Sequence, residues 1–482
     1  MRYITLIAIF AVVGVSIFAN PLQTGAVIGV ALVGLLILRT PRPLITFFLV
    51  FLVIQEPLWI VTSRSESVAR WVNYADEFLI LVLAMGILFL DREVRRALLA
   101  HRLWLTIAGC YLGMVLSSLV ARSALLPAAL DFVLFSKPFL LFTVGLSLWP
   151  TDGEIDRTVH PLLLAMGAVA ATAVPFLLFP GLQEAYTGHL QAPHERLGLV
   201  SVQGIFLGPG ALSWFAVATF CLCYAAYLAY ERSYYLVYAA VSTVFILLSV
   251  RRKSILAVVA VLFVSMLLST KKGIQLRPFI LAGCTLLLAA TFLAPYIHGL
   301  WFLTVDEYGS LDPYETARSS LYYASLLIAR DHFPLGTGFA SFGSHASRLF
   351  GSQVYWEYGL SYVLGLHSSE PRFLTDTFWP MVLGQGGVIS LVSYLSFFAL
   401  LLWATWRRGR ETIVAPSRRF LAHAALFLLV ASLFESAASH IYGASMHAAL
   451  VLVPAGVFWR MVADPHHGPL LRDGSPASLT GM

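Results

Sequence analysis

Charged residues make up only 12% of this 482-residue chain, while 59% of it is hydrophobic. Cysteine is scarcer still. Cys110, Cys221, Cys223 and Cys284 all fall inside apolar runs, so the polar segments have no thiol for a disulfide or a thiolate metal site. Cys221-Leu222-Cys223 also has the wrong spacing for a zinc knuckle. The long polar segments contain no Walker A loop, no Gly-x-Ser-x-Gly elbow and no dinucleotide fingerprint. These absences remove nucleotide, flavin and hydrolase-elbow chemistry from consideration and call for no cofactor.

What is present is apolar sequence in unbroken runs, without strand alternation or heptads, which is the composition of a multi-span membrane protein. A bilayer core admits only helices or closed barrels, and runs without alternation select helices. The expected fold class is therefore all-α, polytopic and transmembrane. About twelve to fourteen spans are expected, near 3–19, 22–38, 44–61, 77–90, 103–120, 132–148, 160–179, 204–228, 236–250, 254–269, 278–297, 377–404, 420–437 and 444–461. The first run has the basic start of a signal peptide but no convincing small-x-small cleavage site, and reads as an uncleaved span. The chain then divides into a helical region over 1–297 with a polar loop at 180–203, a large loop over 298–376, closing spans over 377–461 and a tail over 462–482. With the N-terminus in the cytoplasm, "DREVRRALLAHR", "TKKGIQLRP" and "WRRGRETIVAPSRR" fall inside with most of the Lys and Arg. The net charge of +6 then follows from topology and does not indicate nucleic acid.

One segment defies that asymmetry. "SVRRKS", Ser249 to Ser254, falls on the outside between two apolar runs that are short for a full crossing. A shift of one span would make it an ordinary cytoplasmic anchor. On the outside, the same cations are costly to place and suit an anion at the membrane surface, such as a lipid phosphate or pyrophosphate.

Both long polar segments fall on that outer side, and long loops on a scaffold of short ones usually carry function. The larger one contains Trp301, Tyr308, Tyr314, Tyr322, Tyr323, Trp356, Tyr358 and Tyr362. These rings suit stacking on sugars or seating at an interface, and equally suit the core of a small loop domain. A helix is expected through "YETARSSLYYASLLIAR", followed by a turn at "PLGTG". His345, His367 and Glu370 lack His-x-x-x-His or Glu-x-x-His spacing, so no metal site is expected.

Taken in order, "HERLGLVSVQGIFLGPGALSWF", "LLSVRRKSILAVV", "ETARSSLYYASLLIARDHFPLGTGFASFG" and "LTDTFWPMVLGQGGVISLVSYL" resemble the bacterial O-antigen ligase and polymerase superfamily over about residues 190–400. The resemblance implies a GT-C-like glycosyltransferase of the bacterial inner membrane, with its active site facing the periplasm. It would act on a glycan carried by undecaprenyl pyrophosphate, without metal or cofactor. Membrane lipid is a further implied partner, with a flippase and a chain-length regulator as accessory ones. Carried across residue by residue, it points to Arg196, Arg251, Arg252 and Arg318; Arg252 and Arg318 are the expected pyrophosphate-binding residues, with Arg196, Arg251 and the adjacent Lys253 in support. Ligases of this superfamily have a His-Asn pair before the span that follows the large loop. Here "TDTFWP" puts Asp376 there and His367 lies upstream, a pattern closer to the polymerases of O-antigen, capsule or exopolysaccharide.

Glycosyl transfer from a lipid pyrophosphate must stabilise the departing phosphate oxygens while an acceptor hydroxyl loses its proton. Arginine suits the first task because its charged guanidinium forks onto phosphate oxygens. A carboxylate or imidazole suits the second, which makes Asp376 and His367 the candidate catalytic bases. Imidazole has the better-matched acidity and the aspartate the better-anchored backbone, but Asp376 reads equally well as a helix N-cap for "TFWPMVL". Two other functions share these features: ligation of finished glycan to lipid A-core, and transport of a lipid-linked or anionic substrate. Transporters often carry an internal repeat and charges at the bilayer midplane, and neither is evident here.

Overall fold

The structure is a computed structural model that describes residues 41–148, 151–188, 190, 195–196, 199–268, 313–367, 369–411 and 415–463. The expected spans at 3–19, 22–38 and 278–297 lie outside the described residues. The helices are α1 (Pro41–Thr62), α2 (Glu66–Leu90), α3 (Arg92–Leu99), α4 (Leu103–Ala121), α5 (Leu125–Ser147), α6 (Asp152–Ala171), α7 (Ala173–Leu178) and α8 (Pro180–Thr187). A two-stranded antiparallel hairpin, β1 (Glu195–Arg196) and β2 (Leu199–Val200), leads to α9 (Pro209–Tyr230), α10 (Ser233–Leu248) and α11 (Arg252–Leu268). After the next described residue come α12 (Ala317–Asp331), α13 (His345–Phe350), α14 (Val354–Glu357), α15 (Trp379–Gly409), α16 (Pro416–Ser436) and α17 (Ser445–Ala463). Among the described residues, eight helices are long and apolar enough to cross a membrane. The chain is a polytopic, all-helical membrane protein, with one short hairpin among the described residues.

With no water to drive apolar faces together inside a bilayer, helix pairs associate through close backbone approach at small residues. The pair α4 and α15 shows this. A Cβ on Gly109 would strike Ser393, and one on Gly113 would meet the Gly386 carbonyl at 2.8 Å. Ser390 Oγ donates across the same seam to the Cys110 carbonyl at 2.8 Å. In the pair α5 and α17, Gly145 faces the Val453 carbonyl and Gly456 the Phe142 carbonyl, each too close for a Cβ. The helix α9 is buried along nearly its whole length, between α10, α16 and α6.

The helices end in two sets. At one end, Tyr230 donates to Asp156, Ser417 to Asp152 and Trp459 to the Ala97 carbonyl. At the other end lie the ends of α10 and α16, the starts of α11, α15 and α17, and the whole of 313–378, which we call the capped end. The cap has its own apolar core of Leu321, Ile328, Phe342, Tyr355, Leu360 and Leu366, among others. Its helix α12 starts at a capping box between Thr316 and Ser319. The expected "PLGTG" turn is built for backbone contact. Gly387 breaks α15 at φ +68°, and the chain from Pro334 to Gly338 lies along the break. Val388 N donates to the Pro334 carbonyl, Thr337 N to that of Gly384 and Gly338 N to that of Gln385. Gly338 itself has φ +86°, a conformation that favours glycine. A buried carboxylate secures the arrangement, since Asp131 Oδ2 accepts from Ala340 N at 2.6 Å and Gln385 Nε2 at 2.8 Å.

Candidate functional site

The cations of "SVRRKS" sit at the capped end. The α10–α11 connection is a tight reversal in which Val250 holds φ +52°, a left-handed conformation that strains a β-branched residue. Val250 N donates to the Leu247 carbonyl, Ser249 Oγ to that of Ile246 and Val202 N to that of Leu248. The turn is therefore held by the segment that follows the hairpin. That hairpin carries Arg196, whose side chain lies outside the described residues. The reversal releases the chain directly into α11, placing Arg252 and Lys253 in its first turn and Arg251 just before it. Helix dipoles disfavour cations there and favour anions, so the placement is costly twice over.

Two carboxylates offset part of this charge. Glu435, at the end of α16 and 1% exposed, accepts from Lys253 Nζ at 3.0 Å and from Ser254 Oγ. Arg318, in the first turn of α12, donates to Asp376 Oδ2 at 3.0 Å, with both side chains partly exposed. Arg318 and Arg251 both act electrostatically on Lys253, so the two ion pairs form one field. Tyr322 Oη donates to the Ala437 carbonyl at 2.8 Å and ties α12 to the end of α16. Four cations thus gather near two carboxylates at the start of α11.

Asp376 does not act as an N-cap. The helix α15 begins at Trp379 with Phe378 as its cap residue and no side-chain cap bond, while the Asp376 carboxylate turns to Arg318. Its position is set by partnership with an arginine 58 residues away in sequence, which a local pattern does not reveal. His367 is placed elsewhere on the cap. Its Nδ1 lies 2.6 Å from Ser369 Oγ and its ring meets Trp356 edge-on at 5.6 Å. None of its hydrogen bonds or ring contacts among the described residues reaches Arg318 or Asp376. Glu370 pairs with Arg372 at 2.6 Å. Among the described residues no group of three or more His, Cys, Asp or Glu is placed to hold a metal ion.

The loop rings differ in burial. Tyr314 and Tyr358 pack against the cap core, whereas Trp356 is 50% and Tyr362 83% exposed. Trp301 and Tyr308 lie outside the described residues.

Three groups at the capped end were not singled out from sequence. Glu435 is the carboxylate already described. His447, in the first turn of α17, feels the Lys253 charge. His440 lies in the short α16–α17 connection, its ring 5.5 Å from that of Phe378 and hydrogen-bonded to the Thr377 backbone beside Asp376. Burial pushes its imidazole down to about 4, against the opposing pull of the Thr377 carbonyl. That connection is anchored from below. Lys137 Nζ donates to the Gly443 carbonyl at 3.1 Å and to Glu77 Oε1 at 2.7 Å, and Ser445 donates to Asp76. A lone histidine in a short loop carries no spacing signal, and Lys137 within an apolar run was the one available hint.

The chain matches no protein-family model and no curated protein.

Proposed function

We propose that this protein is a polysaccharide polymerase of the bacterial inner membrane. It transfers a glycan from undecaprenyl pyrophosphate to a hydroxyl of another lipid-linked repeat unit on the periplasmic face. The reading rests on the resemblance of the segments from 190 to 400 to the O-antigen ligase and polymerase superfamily. The single observation that carries it is the gathering of Arg251, Arg252, Lys253 and Arg318 around the start of α11. A pyrophosphate diester brings one negative charge per phosphate, the kind of anion that clustered guanidinium groups bind.

In this mechanism the pyrophosphate seats at the α11 N-terminus, where backbone N–H groups and the helix dipole favour an anion. Arg252 and Arg318 fork onto its oxygens and stabilise the charge that develops as the glycosidic bond breaks. Arg251 and Lys253 add to the field, and the resemblance assigns Arg196 to the same anion. Charge stabilisation falls to guanidinium groups, without a metal. Direct displacement by the acceptor hydroxyl inverts the anomeric carbon. Apolar helix faces hold the polyprenyl chain, and exposed rings such as Trp356 and Tyr362 offer stacking surfaces for sugars. Ligation to lipid A-core would use the same donor chemistry with another acceptor, and the "TDTFWP" pattern favours polymerisation.

The test is transfer by the purified protein from a purified undecaprenyl-pyrophosphate-linked oligosaccharide, read as lengthening of the lipid-linked product. Polymer formed by the wild type and lost in Arg318→Ala supports the reading. A folded wild type that binds the donor yet makes no polymer with any lipid-linked acceptor refutes it.

A further inference from the structure

We propose that His440 is the proton acceptor of this site, its Nδ1 receiving the hydroxyl proton of the attacking sugar. The proposal rests on the transfer reading above and departs from both residues that the sequence pointed to. Three observations on the structure lead to it.

The first is an unfilled acceptor. The His440 ring is partly buried, its Nδ1 is sealed from solvent, and that nitrogen has no hydrogen-bond partner. Buried polar atoms are paired in the great majority of cases, so an orphan marks a place for a group that the chain does not supply. In the tautomer that carries its proton on Nε2, the lone pair on Nδ1 is available to accept.

The second is placement. Thr377 adjoins Asp376, which holds Arg318, while the α16–α17 connection that carries His440 starts one residue after the end of α16, whose Glu435 holds Lys253. The imidazole therefore neighbours Thr377 and Phe378, next in the chain to one of the two carboxylates, on a connection that leaves the helix carrying the other. His367, by contrast, bonds to Ser369 and meets Trp356 edge-on.

The third is the support beneath it. Gly443 lies against the Cδ2–Nε2 edge of the ring, too close for any Cβ, and its carbonyl is held by Lys137. An ion pair between Lys137 and Glu77 within helical spans is expensive to maintain, and here it props the loop that presents His440. Lys137, Glu77 and Gly443 are positioning residues in this account.

The step balances. The acceptor oxygen forms its bond to the anomeric carbon as its proton passes to Nδ1. The bond from that carbon to the phosphate oxygen breaks, and its electron pair leaves with the pyrophosphate. The imidazolium then returns its proton to the solvent. The charged and titratable groups that act on the ring are Lys137 on α5 and His345 on α13, and both oppose protonation while the anion is absent. A seated pyrophosphate adds negative charge nearby and raises the proton affinity of the ring, so the base strengthens when donor is bound.

The experiment uses the full chain and purified undecaprenyl-pyrophosphate-linked oligosaccharide, with His440→Gln, Arg318→Ala and wild type in parallel. His440→Gln is expected to lower kcat by about a hundredfold or more with KM for the donor within about twofold. In the wild type, kcat/KM should hold from neutral pH to about 5 and fall only as His440 protonates near 4, because the base acts in its neutral form. A His440→Gln rate above about a third of wild type overturns the proposal. So does an acid limb near 6.5, the ordinary imidazole value, and that measurement needs no variant to fold. A wild type that binds the donor without transferring it overturns the transfer reading and this proposal together. An active wild type beside an active His440→Gln overturns only the role of His440.

Discussion

Replacing Glu435 by Gln should destabilise the protein and at the same time increase its stabilisation by an anion. Glu435 is 1% exposed and gives one oxygen to Lys253 and the other to Ser254. Gln keeps the acceptor for Ser254 but turns an amide donor or a neutral oxygen towards the ammonium of Lys253. Removing one member of a buried pair costs about 3–5 kcal/mol, because the other charge is left uncompensated. The Lys253 side chain is 23% exposed, so part of the loss is relieved by water and about 2–4 kcal/mol is expected. Repulsion from Arg251 and Arg318 keeps the value from falling lower. Unfolding in mixed micelles measures it. Inorganic pyrophosphate at a hundred times its Kd should restore about 2.7 kcal/mol. That protection should begin at lower pyrophosphate in Glu435→Gln than in wild type, since the carboxylate no longer competes for the cations. Adding Lys253→Met should recover most of the lost stability, as removing both partners of a buried pair is close to neutral. A loss below about 1 kcal/mol, or protection by pyrophosphate no stronger than in wild type, would refute the reasoning.

Gly443→Ala drives a methyl group into the His440 ring, and transfer kinetics should show kcat reduced at least about tenfold with donor KM unchanged. Gly387→Ala combines φ +68° with contact against the Pro334–Leu335 backbone, and should cost about 2–3 kcal/mol in the same unfolding assay. Gly167→Ala, in open space on α6, should instead stabilise by about 0.5–1 kcal/mol. Arg318→Lys should restore little of the polymer yield lost in Arg318→Ala, because a point charge cannot fork onto two phosphate oxygens. A cysteine placed at Leu364, 79% exposed, should react with a membrane-impermeant reagent from the periplasm, whereas one at Ser344, 1% exposed, should resist it. Labelling at 364 only from the cytoplasmic side would invert the proposed orientation.

Hydropathy revealed the helices because a bilayer imposes one rule on every span, and the apolar runs at 103–120, 132–148 and 444–461 correspond to α4, α5 and α17. The break in α15 was less legible. "LGQGG" shows its glycines, but the need for them comes from a backbone at Pro334–Gly338 that arrives from elsewhere in the chain. The cations at 251–253 stood out in sequence because they violated charge asymmetry. Their partner Glu435 did not, since a single carboxylate at the end of a span looks like an ordinary boundary residue. Asp376 was singled out from sequence with an N-cap role left open, and its pairing with Arg318, which removes that role, leaves no mark in the local pattern. His440 was invisible for a physical reason: its character comes from burial and from the Thr377 carbonyl, and neither leaves a mark in local sequence.

The measurement that tests the central claim most directly is lipid binding by native mass spectrometry, with undecaprenol, undecaprenyl phosphate and undecaprenyl pyrophosphate offered to wild type, Arg252→Ala and Arg318→Ala. A clear preference for the pyrophosphate in wild type, reduced at least about tenfold in both variants while undecaprenol binding stays constant, is the result this account predicts. Equal binding of all three lipids by wild type, or a pyrophosphate preference that survives both substitutions, would contradict it.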